Sequence, residues 1–130
     1  MLEKIINEID NAIPNLFGVY LFGSRARSME NSESDWDLAF LADSIVTSKE
    51  IWGVKTGIEA KLDIDIDLID LNTDNLVLRA QVLRDGRLVL AKNKAKLEEF
   101  EYLTLSFYQK LNEERAEILK DIKRSGKIFK

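Results

Sequence analysis

Two short stretches hold the residues that could do chemistry. Gly23 and Ser24 follow directly on an apolar run, and after ten further residues Asp35 and Asp37 flank Trp36 at the head of a second apolar run. Glycine lets a backbone approach a phosphate without a Cβ in the way. A serine at a helix start adds a hydroxyl and oriented N–H donors. Paired carboxylates at a strand start can hold a divalent cation, so the stretch 23–38 reads as a phosphate cradle facing a metal site. Nucleotidyl transfer requires such a layout: the triphosphate charge is neutralised, an attacking hydroxyl is aligned with the α-phosphate, and charge on the leaving pyrophosphate is stabilised. Two metal ions about 4 Å apart meet these needs best, and they require a third carboxylate from a neighbouring segment. The run Asp63-Ile-Asp-Ile-Asp-Leu-Ile-Asp-Leu71 offers Asp65 or Asp67. Arg25 and Arg27 could add bidentate phosphate contacts.

Each fragment alone has a plainer meaning. A Gly-Ser pair is usually a turn, an Asp-x-Asp pair is commonly a solvated strand start, and surface arginines need no ligand. Asp63 fits the exposed side of an edge strand better than a site. The combination at fixed spacing carries the reading.

The chain has no Cys and no His, which excludes disulfides, thiolate nucleophiles, the usual zinc sites and imidazole bases. Oxygen-only donors select hard cations, Mg²⁺ or Mn²⁺. A carboxylate such as Asp67 would then have to help deprotonate the attacking hydroxyl. The net charge of −4 argues against generic nucleic-acid binding, which needs a basic surface. No apolar run approaches the roughly 18 residues of a membrane span, and the amphipathic N-terminus lacks a signal-peptide block. A cytoplasmic protein is expected. At 130 residues, 45% of them apolar, one domain with a single core is expected over 1–130, its body over about 1–92.

The elements that must position these groups follow in order. Leu2, Ile5, Ile6, Ile9 and Ile13 mark a helix that Pro14 closes. Residues 17–22 read as a buried strand, 24–29 as a short helix, 30–34 as a polar loop and 35–42 as a second strand. Thr47-Ser-Lys-Glu50 is a capping box ahead of a helix with Ile51, Lys55, Ile58 and Leu62 on one side. Strict alternation predicts a strand over 63–71, with Asp63, Asp65 and Asp67 on one side and Ile64, Ile66 and Leu68 on the other. A helix capped by Thr73 or Asp74 runs through Arg84, Asp85-Gly86 turns the chain into a strand over 87–91, and a long helix covers about 95–124. Its stripe of Leu97, Phe100, Leu103, Phe107 and Leu111 reads as core rather than interface. This order predicts an α/β or α+β domain: a mixed sheet of about four strands with flanking helices and a long C-terminal helix.

Gly23, Ser24, Asp35 and Asp37 at this spacing, with Asp67 on a later strand, resemble the polymerase-β-like nucleotidyltransferases. More narrowly, L-F-G-S-R-A-R at 21–27, S-D-W-D-L at 34–38 and V-L-R-D-G-R-L-V at 82–89 resemble the minimal nucleotidyltransferase (MNT) antitoxins. Trp36 departs from that pattern, which usually has a smaller aliphatic residue there; its side chain should point away from the carboxylates. The resemblance implies an enzyme that moves AMP from ATP, with Mg²⁺, onto a tyrosine of a partner HEPN-domain toxin. Asp35, Asp37 and Asp67 would be the metal-binding and catalytic residues, and Gly23, Ser24, Arg25 and Arg27 the nucleotide contacts. The rival readings are an antitoxin that neutralises by binding alone, and a small-molecule or RNA nucleotidyltransferase acting with a separate acceptor-binding subunit.

Overall fold

The computed structural model describes residues 1–26 and 35–125, with side chains as far as Asp121. Nine elements follow one another: α1 (Leu2–Ala12), β1 (Leu16–Phe22), α2 (Gly23–Ala26), β2 (Trp36–Ala42), α3 (Ser48–Leu62), β3 (Ile66–Asp70), α4 (Leu76–Asp85), β4 (Arg87–Ala91) and α5 (Lys94–Ser125). The expected polymerase-β-like arrangement, a mixed four-stranded sheet with flanking helices and one long final helix, is present. None of the described helices is long and apolar enough to cross a membrane.

The sheet order is β3-β2-β1-β4. Antiparallel pairing joins β1 to both β2 and β4, whereas β2 and β3 run parallel. A parallel pair needs a crossover, and α3 supplies it. Alternation along each strand then divides the core. Val19, Leu21, Leu38, Phe40, Ile66 and Leu68 pack against Ile5, Ile9 and Ile13 of the N-terminal segment and Ile58 of α3. Tyr20, Ala39 and Leu41 face the other way, onto Val82 of α4 and onto Leu97 and Phe100 of α5.

Local chemistry explains the boundaries. Ile13, preceding Pro14, is extended at φ −105° and ψ 114°, because the proline ring excludes the helical region for the residue before it. Thr47 caps α3, accepting a hydrogen bond from the Glu50 N–H at 3.2 Å while its hydroxyl donates to the Glu50 carboxylate at 2.8 Å. The Cδ atoms of Leu97 lie where a Cβ on Gly18 would be, 2.8 and 2.9 Å away, so the missing side chain lets α5 settle on the centre of β1. Tyr20 fastens the same pair, its buried hydroxyl donating to Glu101 at 2.6 Å. Burial, and then the Glu101 carboxylate, push the Tyr20 hydroxyl far above its ordinary pKa.

Three expectations need correction. Asp63 does not open a strand: it is the C-cap of α3, in the left-handed region at φ 54° and ψ 54°, and β3 starts only at Ile66. The alternation at 63–65 is a local strand signal, but β2 begins at Trp36, which pairs with Ile66. Helix α4 is capped by neither Thr73 nor Asp74. Asn75 does so, accepting from the Leu78 N–H at 3.0 Å, while Thr73 accepts from the Asn75 N–H at 3.3 Å. The stripe of α5 is core only as far as Thr104; Leu103 and Phe107 are exposed, because the helix outruns the sheet beneath it. Of the short helix expected over 24–29, Gly23–Ala26 is helical. The remainder, with the 30–34 loop and Arg27, lies outside the described residues.

Candidate active site

The candidate residues converge where β1 ends and β2 and β3 begin. Phe22 pairs with Asp37 across the antiparallel ladder, and Asp37 pairs with Asp67 across the parallel one. Paired residues on neighbouring strands project to the same side, so Asp37 and Asp67 stand side by side on the face that α4 and α5 cover further along. Asp35 is two residues before Asp37, just ahead of the strand. The sequence left Asp65 and Asp67 as rivals for the third position. The register resolves the pairing: Asp67 stands opposite Asp37, while the backbone carbonyl of Asp65 accepts from the Trp36 N–H at 3.1 Å.

Gly23 closes the row from the other side. Its φ of +75° is a conformation that L-residues adopt rarely, and a Cβ built there would sit 2.1 Å from Oδ2 of Asp37. The turn leaving β1 therefore lies against the carboxylate, and only glycine meets both conditions. Ser24 follows immediately in α2.

The electrostatics are those of a carboxylate cluster. Burial raises the Asp37 pKa first, the Asp67 charge second and the Asp35 charge third. Asp35 and Asp67 themselves are exposed. Among the described residues no three acidic side chains are already closed around a metal-sized space. Like charges hold one another apart, and the mutual repulsion felt at Asp37 is what a cation would relieve. Asp37 and Asp67 on two adjacent strands and Asp35 just ahead of one of them, all oxygen donors with a glycine turn close against Asp37, suit a hard divalent ion.

Trp36 turns to the opposite face, where it packs against the α1/α3 core, as its place between two outward carboxylates requires. The guanidinium of Arg25 stacks over its ring, 3.9 Å from the centroid. The structure thus brings together Gly23, Asp35, Asp37 and Asp67, with Ser24 alongside, and sets Arg25 on the far face of the sheet.

One positioning residue escaped the sequence. The Glu59 carboxylate on α3 accepts from the Ile66 N–H at 3.1 Å while pairing with Lys55 at 3.3 Å. It anchors the first residue of β3, one position before Asp67. The pairing spans seven residues across a helix end, and no helix or strand period marks it.

Residues 3–95 match the family of polymerase β nucleotidyltransferase domains. The protein adenylyltransferase MntA of Shewanella oneidensis is 34% identical over 120 residues, spanning 92% of this chain and 86% of that protein. A crystal structure of a toxin–antitoxin complex with AMP-PNP contains a chain that superposes with a TM-score of 0.80 at 34% identity, over 93% of this chain and 97% of that one. A structure of the tri-AMPylated Shewanella oneidensis HEPN toxin with MNT antitoxin matches with a TM-score of 0.73 at 34% identity, over 93% and 94% of the two chains. Matches of this extent, over a chain that sets Asp37 and Asp67 side by side beneath a glycine turn, show that the protein belongs to the polymerase-β-like nucleotidyltransferases.

Proposed function

We propose that this protein is the antitoxin of a toxin–antitoxin pair and acts as a protein adenylyltransferase, moving AMP from ATP onto a tyrosine hydroxyl of a HEPN-domain partner in the cytoplasm, with 1–130 working as one domain. The observation that carries the reading is the Asp37–Asp67 pair in register beside Gly23. Mg²⁺ bound by Asp35, Asp37 and Asp67 would supply Lewis-acid neutralisation of the triphosphate. The turn at Gly23 and Ser24 holds the triphosphate by backbone N–H groups and the serine hydroxyl. Asp67, the exposed member of the pair, takes the proton from the tyrosine hydroxyl as its oxygen attacks the α-phosphorus. The bond from the α-phosphorus to the bridging oxygen breaks, and pyrophosphate leaves with the electron pair. Arg27 would contact the phosphates; Arg25 would join it only by leaving the Trp36 ring.

Asp37→Asn is the test. Wild-type protein with labelled ATP, Mg²⁺ and the HEPN-domain protein encoded beside it should place label on that neighbour, and the variant should not. Label on RNA or on a metabolite instead would sink the reading. A second reading, neutralisation by binding alone, is favoured by the long solvent-facing part of α5. Protection of toxin-expressing cells by Asp37→Asn at normal expression would establish it over transfer.

A further inference from the structure

The direction of α5 relative to the carboxylate row has a consequence for how an acceptor protein is held. Leu97 lies against Gly18, and Glu101 receives the Tyr20 hydroxyl. Two residues of β1, about 6.7 Å, are thus matched by four residues of α5, about 6 Å. Helix and strand run the same way at nearly the same rate. Phe22, whose neighbour is Asp37, is two strand residues further on, so α5 passes the row near residue 105 and continues beyond it. Contacts made by α4 agree. Gly86, at its C-terminal end, packs against Phe22, and Arg84 lies 5.8 Å from the ring of Tyr108.

Beyond that level the helix has no sheet under it, yet its apolar pattern continues. At 100° per residue, Phe107, Leu111 and Ile118 fall on the side that buries Phe100 and Thr104 against the body. Phe107 is 58% and Ile118 56% exposed, and Leu119 beside them 65%. From Leu103 to Ile118 the stripe runs about 22 Å, crossed on that side by Glu114 and Arg115. An apolar stripe of that length on a solvated helix is a helix-in-groove anchor. A polar cavity of about 270 Å³, lined by Val77, Gln81, Arg84 and Asp85 of α4 and by Tyr108, lies at its near end.

We propose that the distal half of α5 is the docking surface for the HEPN-domain acceptor protein, and that it fixes this protein over the end of the sheet where Asp37 and Asp67 stand. The inference rests on the transfer reading above. The occupant is assigned by continuity: α5 leaves the sheet at the end where Asp37 and Asp67 stand, so a partner on its body-facing side past residue 107 is held at the end of the molecule where an acceptor hydroxyl must be.

The test compares wild type, Phe107→Ala with Ile118→Ala, Asp37→Asn, and Trp52→Ala as a control, since Trp52 is exposed on α3, across the sheet. Each truncation on α5 should raise the calorimetric Kd for the HEPN-domain neighbour at least about tenfold. Both changes should raise KM for the neighbour and leave nucleotide binding and helical circular dichroism unchanged. Asp37→Asn should bind normally and transfer nothing, and Trp52→Ala should behave as wild type. Unchanged Kd in the α5 variant overturns the docking inference, and so does a loss equalled by Trp52→Ala, or a self-associated form that dissociates while binding to the neighbour persists. If wild type binds through the stripe but transfers no AMP, the transfer reading fails and the docking surface stands. A wild type that neither binds nor labels the neighbour overturns both.

Discussion

Gly23→Ala tests the geometry of the row most directly, because two separable costs meet at one atom. A Cβ at φ +75° carries a left-handed penalty of about 1–2 kcal/mol. The same Cβ would lie 2.1 Å from Oδ2, 2.9 Å from Cγ and 3.1 Å from Cβ of Asp37. Relief requires the carboxylate to swing or the turn to shift, an overpacking cost of about 1–3 kcal/mol. Together these make about 2–5 kcal/mol, a large share of the roughly 5–15 kcal/mol available to a domain. Urea unfolding should read that loss, and Tm should fall by roughly 7–18 °C. Placing Gly23→Ala in an Asp37→Ala background separates the two. Only the 3.1 Å contact then remains, so the second substitution should recover about 1–3 kcal/mol, while the left-handed penalty persists. Activity supplies an independent readout: a carboxylate displaced by about 1 Å should lower AMP transfer about 100-fold, even at temperatures where the variant is folded. Equal costs of Gly23→Ala in the two backgrounds would refute the contact, and full stability with full activity would refute both the contact and the backbone argument.

Two further outcomes follow from the charges and the anchors. The folded-state pKa of Asp37 is raised, so the folded protein holds the proton more tightly than the unfolded chain. Its stabilising contribution is present at low pH and is lost as pH rises through the folded-state pKa. In EDTA, Asp37→Asn should therefore be more stable than wild type at neutral pH, with the gain shrinking as pH is lowered; added Mg²⁺ should raise the wild-type Tm and not the variant's. A variant less stable than wild type across the range would count against the repulsion. Tyr20→Phe leaves the half-buried Glu101 carboxylate without its donor and should cost about 1.5–3 kcal/mol by urea denaturation, with Glu101→Gln costing less.

Much of the fold was legible because its signals are local. The isoleucine stripe of α1, the Thr47 cap and the Pro14 stop each act within a few residues. The same holds for the site: Gly23, Ser24, Asp35 and Asp37 sit at one fixed spacing, and a chain without His or Cys leaves carboxylates, hydroxyls and Lys or Arg for the chemistry. The failures share a cause as well. Asp63 alternates as a strand residue should, yet the end of α3 takes it as a left-handed cap. Phe107 continues a buried period but runs past the sheet that buried it, since a helical period records which residues share a side and not how far the neighbouring layer extends.

The sequence by itself determined the order of elements, the oxygen-only metal donors and two of the three carboxylates. Tertiary structure alone decided that Asp67 stands opposite Asp37, because the register of a parallel pair depends on the crossover through α3 and on the Glu59 contact that starts β3. It also drew Arg25 onto Trp36 on the far face and carried α5 past the row. These are relations between segments distant in the chain, and pairing and packing set them where no local periodicity can.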